Sequence, residues 1–172
     1  MKPTWAEVDF DKLAHNYHAL RGLAPAGTKY LGLVKADAYG HGAVPVAKKL
    51  EELGADYLGV ACLDEAIEVR EAGVKTPILI LGCTSSIYAA ELVKYNITQA
   101  CYDLEYAKEL SAGAQKAGGT ITVHIQCDTG MTRLGFMCHE DTMEKSASEI
   151  IEAVKLPGLK AEGIFTDRKS VV

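Results

Sequence analysis

The sequence predicts an α/β fold built on parallel strands, and three observations predict it. Short apolar, β-branched runs alternate along the chain with amphipathic stretches of helical period. Glycines close several of the helical stretches, and aspartates open others. The 172 residues, 48% hydrophobic and 24% charged, have the composition of a globular chain long enough to bury its own core. Parallel strands need crossovers, and crossovers of one hand build either an open doubly wound sheet or a closed barrel. Periodicity does not separate these two.

Taken in order, residues 1–10 read as an amino-terminal strand set apart from the repeats, because Trp5, Glu7 and Asp9 alternate with Ala6, Val8 and Phe10. A helix is expected over 11–21. Strands are then expected at 30–34, 57–61, 77–81, 97–101, 120–125 and 159–165, with helices at 43–53, 63–72, 87–95, 104–117 and 143–154. Gly54, Gly73 and Gly118-Gly119 follow helices, where left-handed cap geometry is needed. Asp103 and Asp141 precede helices, where a carboxylate accepts backbone N–H bonds. Residues 11–166 thus carry about six strand–helix units, against the eight, in roughly 250 residues, of a full (β/α)₈ barrel. Residues 167–172 turn polar after the last apolar strand and read as an atypical tail.

A net charge of -5, with no basic stripe beyond Arg168-Lys169, argues against a nucleic-acid partner. No segment approaches the roughly 18 apolar residues needed to span a bilayer, and the opening residues lack the apolar run of a signal peptide. A cytoplasmic location away from membranes is expected. Cys62, Cys83, Cys101, Cys127 and Cys138 form no C-x-x-C pair and have no histidine at metal-ligand spacing, so they read as reduced, mostly buried thiols with no metal.

Two clusters carry chemistry. Lys35 stands at the carboxyl end of an apolar strand, where barrel active sites lie. Its stem either snorkels to solvent or delivers an amine able to attack a carbonyl and form an imine. Tyr39 lies in the turn that follows, where a phenol and helix-terminal N–H groups can hold a phosphate; ordinary strand-to-helix turns look the same. His41 by itself is more often a surface or hydrogen-bonded residue. Arg133 follows the strand at 120–125; its planar fork suits a carboxylate or phenolate, or else it pairs with Asp128 within the loop. Asp128-Thr129-Gly130 has the letters of an aspartic-protease loop, but such a site needs two carboxylates, and the tripeptide occurs once.

Val34-Lys35-Ala36-Asp37-Ala38-Tyr39-Gly40-His41-Gly42 resembles the cofactor-lysine signature of alanine racemases. Thr4-Trp5-Ala6-Glu7-Val8-Asp9 resembles the opening of that family, and Asp128-Thr129-Gly130-Met131 with Arg133-Leu134-Gly135-Phe136 resembles its second motif. The resemblance implies a barrel of the TIM type that binds pyridoxal 5'-phosphate, followed in the family by a β domain that this chain does not reach. It implies homodimeric enzymes that interconvert L- and D-alanine, the latter for peptidoglycan. By the same resemblance, Lys35 holds the cofactor as a Schiff base and serves as a base at the substrate α-carbon. Tyr39 binds the cofactor phosphate, and Arg133 contacts the cofactor's phenolic oxygen and the substrate carboxylate.

The sequence also departs from the family. Gln126 stands where many members have a lysine that supports the arginine, and Asp167 stands where a histidine packs on the cofactor ring. The barrel is therefore expected to be incomplete at its carboxy end, and the chain to be a truncated racemase, inactive alone. The rival readings are a barrel protein that binds pyridoxal phosphate without turnover, a racemase or decarboxylase of another amino acid, and a non-functional fragment.

Overall fold

The computed structural model describes residues 4–167, so all of the polar tail after Asp167, Arg168-Lys169 included, lies outside the described residues, as do residues 1–3. The chain divides between Ile78 and Leu79 into two compact units.

The first unit holds α1 (Phe10–Leu23), β1 (Leu31–Leu33), α2 (Lys35–Gly40), α3 (Ala43–Glu52), β2 (Tyr57–Val60) and α4 (Leu63–Glu71), and ends on the first residue of β3 (Ile78–Ile80). β1 and β2 are parallel, with Leu31, Gly32 and Leu33 opposite Tyr57, Leu58 and Gly59. Val34, Ala47, Leu58, Val60, Ala66 and Val69 are wholly buried, so the apolar faces predicted for β1, α3, β2 and α4 do form the core. Gly32 lets α3 lie close on β1, since a Cβ there would meet Leu50 Cδ1 at 2.6 Å. Glu51 ties α3 to the segment before β3: one of its oxygens accepts the N–H groups of Lys75 and Thr76 at 2.6 Å and the Thr76 hydroxyl at 2.8 Å.

The amino-terminal strand is corrected by the structure. Residues 4–9 form no strand, and Phe10 already begins α1. Alternation only tells that a segment has two faces; a strand also needs a neighbour to take its backbone bonds. Asp9 is instead the N-cap of α1, accepting the N–H groups of Asp11 and Lys12, and Trp5 is 73% exposed.

The second unit holds the rest of β3, a 3₁₀ turn η1 (Ser86–Tyr88), α5 (Ala89–Lys94), β4 (Thr98–Cys101), α6 (Leu104–Lys116), β5 (Ile121–Asp128), β6 (Phe136–Met137), α7 (Met143–Ala153) and β7 (Leu159–Thr166). β4 pairs in parallel with β3 and with β5, and β5 pairs in parallel with β7 from Ile121↔Leu159 to Cys127↔Thr166. β4 stops opposite Ile125, and β6 takes over that edge of β5 at Cys127 and Asp128. All six expected strands are present, and β6 is an addition.

Two smaller expectations fail. Asp141 does not cap α7; Thr142 is the N-cap, and its hydroxyl donates to the Met137 carbonyl at 2.7 Å. Only Cys101 among the five thiols is buried, because Cys62 and Cys83 fall in the strand-end loops, where side chains meet solvent.

Candidate functional site

Val34 is the last buried residue of the β1 segment, and its N–H donates to the Gly59 carbonyl at 2.8 Å. Lys35 follows, half-buried, and the backbone then changes hand. Ala36, Asp37, Ala38 and Tyr39 have φ of 51°, 53°, 50° and 54°, so α2 is a left-handed turn made of non-glycine residues. Each such residue costs about 1–2 kcal/mol, hence roughly 4–8 kcal/mol for the four.

Specific bonds hold the turn. The Ala36 N–H donates to Glu65 Oε1 at 2.8 Å, and the other oxygen of that carboxylate accepts the Ala61 N–H at 2.7 Å. Ala38 N–H donates to the Val34 carbonyl at 2.9 Å. Asp37 Oδ1 accepts the Ala43 N–H at 2.7 Å at the start of α3, and the Asp37 carbonyl accepts the Gly42 N–H at 2.9 Å. His41 Nδ1 donates to the Ala38 carbonyl at 2.9 Å, so this histidine fastens the turn. Strain of this kind, held by its surroundings, clusters at ligand-binding and catalytic sites. The turn presents Lys35 at one end and Tyr39, 61% exposed, at the other.

In the second unit, Arg133 lies beyond the carboxyl end of β5 in a loop folded around Asp128. One Asp128 oxygen accepts the N–H groups of Gly130 at 2.8 Å and Thr132 at 3.0 Å, and the other accepts the Arg133 N–H at 3.1 Å. The Thr132 and Gly130 N–H bonds, against the opposing effect of burial, hold the Asp128 carboxyl below its ordinary range. Gly135 closes the loop at φ 132°, where a Cβ would lie 2.6 Å from the Asp128 nitrogen.

The expected pairing of the Arg133 side chain with Asp128 does not form: Asp128 takes the backbone N–H of Arg133, while the guanidinium pairs with Asp167. That ion pair is 58% and 45% exposed on its two sides, which limits it to about 1 kcal/mol or less. Gln126 is buried, and among the described residues its Oε1 accepts no hydrogen bond. A cleft of about 420 Å³ beside Arg133 is lined also by Tyr102, Asp103, Asp128, Thr132 and Met137.

The structure therefore brings Lys35, Tyr39 and His41 together on one turn and sets Arg133 in the other unit; Lys35 and Arg133 each lie past the carboxyl end of a parallel strand. Sequence reasoning missed Glu65, Asp37 as a brace, and Asp167 as the partner of Arg133. The one signal for Glu65 was its place as the third residue of α4, where a glutamate often turns back on the preceding backbone. Among the described residues no three His, Cys, Asp or Glu side chains are placed to hold a metal, and no helix is long and apolar enough to cross a membrane.

Comparison with known proteins gives these features a family. The family model described as "Alanine racemase, N-terminal domain" matches residues 8–167. An alanine racemase of Clostridium perfringens is 45% identical over 166 residues, which are 96% of this chain and 42% of that protein. Alanine racemase 1 of Caldanaerobacter subterraneus is 42% identical over the same share of each. The alanine racemase of Clostridium difficile in complex with cycloserine superposes with a TM-score of 0.92 at 43% identity, covering 98% of this chain and 45% of that one. A histidine racemase from Leuconostoc mesenteroides superposes at 0.80 with 27% identity, covering 94% of this chain and 42% of that one. The chain thus spans less than half of the relatives it matches, and over that span it belongs to the alanine racemase family, with the barrel-type α/β fold of its N-terminal domain.

Proposed function

We propose that this chain is the cofactor-bearing part of an alanine racemase that uses pyridoxal 5'-phosphate. The observation that carries the reading is the strained, braced turn that presents Lys35 and Tyr39 at a strand end, in a chain of this family. The donors on the turn fit the cofactor: a half-buried amine for its aldehyde and a phenol for its phosphate, with the phenolic-oxygen contact assigned to Arg133 by resemblance to the family. When bound, pyridoxal phosphate supplies an electron sink for the charge left at an amino-acid α-carbon when its proton departs.

The residues of this chain do the rest. Lys35 Nζ would hold the cofactor, and the same amine would take or return the α-proton on one face of the substrate. The Tyr39 hydroxyl donates to the phosphate and holds the cofactor in register. The Arg133 guanidinium orients the substrate by its carboxylate, and the Asp128 loop fixes the backbone from which Arg133 reaches. The working enzyme in this reading is a cytoplasmic homodimer that interconverts L- and D-alanine.

The test is to reduce a mixture of the chain and pyridoxal phosphate with borohydride and map the adduct by mass spectrometry. An adduct at Lys35 that is lost in Lys35→Ala is expected; one at another lysine overturns the reading. The resemblance to a histidine racemase favours one alternative, a racemase of a different amino acid on the same base plan. Racemisation by the full-length protein, followed by polarimetry across alanine, serine and histidine, separates the two.

A further inference from the structure

We propose that Glu65 is a positioning residue for Lys35, its carboxylate bridging the backbones that leave β1 and β2 and so holding residues 36–39 in the left-handed hand from which Lys35 and Tyr39 are presented. The cofactor half of this proposal rests on the function proposed above; the backbone half does not.

The argument starts from the accounting of backbone donors. The β1–β2 ladder ends with the Val34 N–H on the Gly59 carbonyl, so the Ala36 and Ala61 N–H groups emerge beyond the last strand-to-strand bond. Glu65 takes both, one on each oxygen, at 2.8 Å and 2.7 Å. The bond to Ala61 alone is a local helix-start contact, made by the third residue of α4 to the residue before its N-cap, Cys62. The bond to Ala36 crosses 29 residues and reaches the first residue of the inverted backbone, directly after Lys35.

Bonds to a carboxylate are shorter and stronger than neutral ones, and a negative charge in the first turn of α4 is favoured by the helix dipole. Four left-handed residues in a row revert unless their ends are held. The far end is held by Asp37 on Ala43 and by the Gly42 bond; the Lys35 end is held by Glu65 and by Ala38 on Val34. No other side chain among those described bonds the Ala36 N–H. Glutamate also has the right reach and valence: glutamine offers one oxygen to two donors, and alanine offers none.

The experiment compares the chain with Glu65→Gln, Glu65→Ala and, as control on the same helix, Glu68→Gln, whose side chain is exposed. Cooperative thermal melts establish that each is folded. Strong intraresidue HN–Hα NMR cross-peaks at 36–39 report the left-handed backbone, and hydrogen exchange reports the Ala36 and Ala61 amides. Borohydride trapping with pyridoxal phosphate gives the concentration that half-saturates Lys35.

Glu65→Ala is expected to lose the cross-peaks, speed exchange at Ala36 roughly tenfold or more, and raise the half-saturating concentration by a similar factor. Glu65→Gln keeps one acceptor and falls between, and it carries the test if the alanine variant does not fold. Retention of the cross-peaks and of wild-type trapping in folded Glu65 variants overturns the proposal, and so does an equal loss in Glu68→Gln. If the unaltered chain traps no cofactor at Lys35, the proposed function fails, while the NMR and exchange measurements still decide the role of Glu65 in the turn.

Discussion

Ala36 occupies a conformation, φ 51°, that glycine adopts without penalty and a β-branched residue resists. In an ordinary right-handed helix, alanine to glycine costs about 1 kcal/mol. Here Ala36→Gly is expected to be neutral or to stabilise by up to about 1 kcal/mol, because relief of the left-handed strain offsets the greater freedom of the unfolded chain. Ala36→Val is expected to destabilise by roughly 1–3 kcal/mol, and urea unfolding of the two variants reads the difference in sign. Gly135→Ala places a Cβ against the Asp128 backbone at φ 132°, and a loss of roughly 2–4 kcal/mol is expected in the same assay. Thiol chemistry follows exposure: burial, with Asp103 nearby, pushes the Cys101 thiol up to about 12, whereas Cys62 and Cys83 lie open to solvent. Iodoacetamide at pH 8 is expected to label the latter two in the folded chain and to reach Cys101 only after denaturation, as mass spectrometry of the peptides will show. The family motifs that contain Lys35, Tyr39 and Arg133 were legible at this scale because they are contiguous. Glu65 was not, because its bond to Ala36 exists only once β1 and β2 pair.

Helix ends show how far local chemistry reaches. Asp103 caps α6 by accepting the Tyr106 N–H at 2.7 Å, so Asp103→Ala is expected to cost about 1 kcal/mol. Asp141→Ala is expected to stay within about 0.5 kcal/mol of the parent, since Thr142 holds the cap position; chemical denaturation of both variants checks the contrast. Both aspartates precede a helix in sequence, and the difference lies in the three-dimensional path of the chain before α7, where Thr142 and Ser146 both bond the Met137 carbonyl. Gly54, Gly73 and Gly118 do have the positive φ expected after helices. The two-residue β6 escaped notice because it is too short for a period; it is a strand only because β4 stops at Cys101 and leaves the end of β5 unpaired. Residues 4–9 are the converse case, a period without a neighbouring strand.

Across the molecule, the response to acid depends on carboxylates spent on backbone bonds. The Tyr30 N–H, with Arg21, holds Asp56 below its ordinary range, and the loop around Asp128 does the same there. For Glu51, burial works in the opposite direction and is outweighed by the bonds from Thr76 and Lys75. Each group is depressed in the folded state, so its stabilisation is complete above the ordinary carboxylate range near pH ~4 and is lost as pH falls through that range toward the lowered native values. The urea midpoint is expected to fall between pH 6 and pH 3, and to fall less steeply in Asp128→Asn; a midpoint that holds constant would show that these bonds do not set acid stability. Strand–helix order, the placing of Lys35 and Arg133 at strand ends, and the family itself were readable from the chain, since each rests on periods, caps or motifs confined to near neighbours. The hand of the backbone at 36–39, the Glu65 bridge over 29 residues and the Arg133–Asp167 pair over 34 were settled by folding. They depend on groups far apart in sequence that meet only after parallel strands have paired, and no local pattern records which distant partner will satisfy a given N–H or charge.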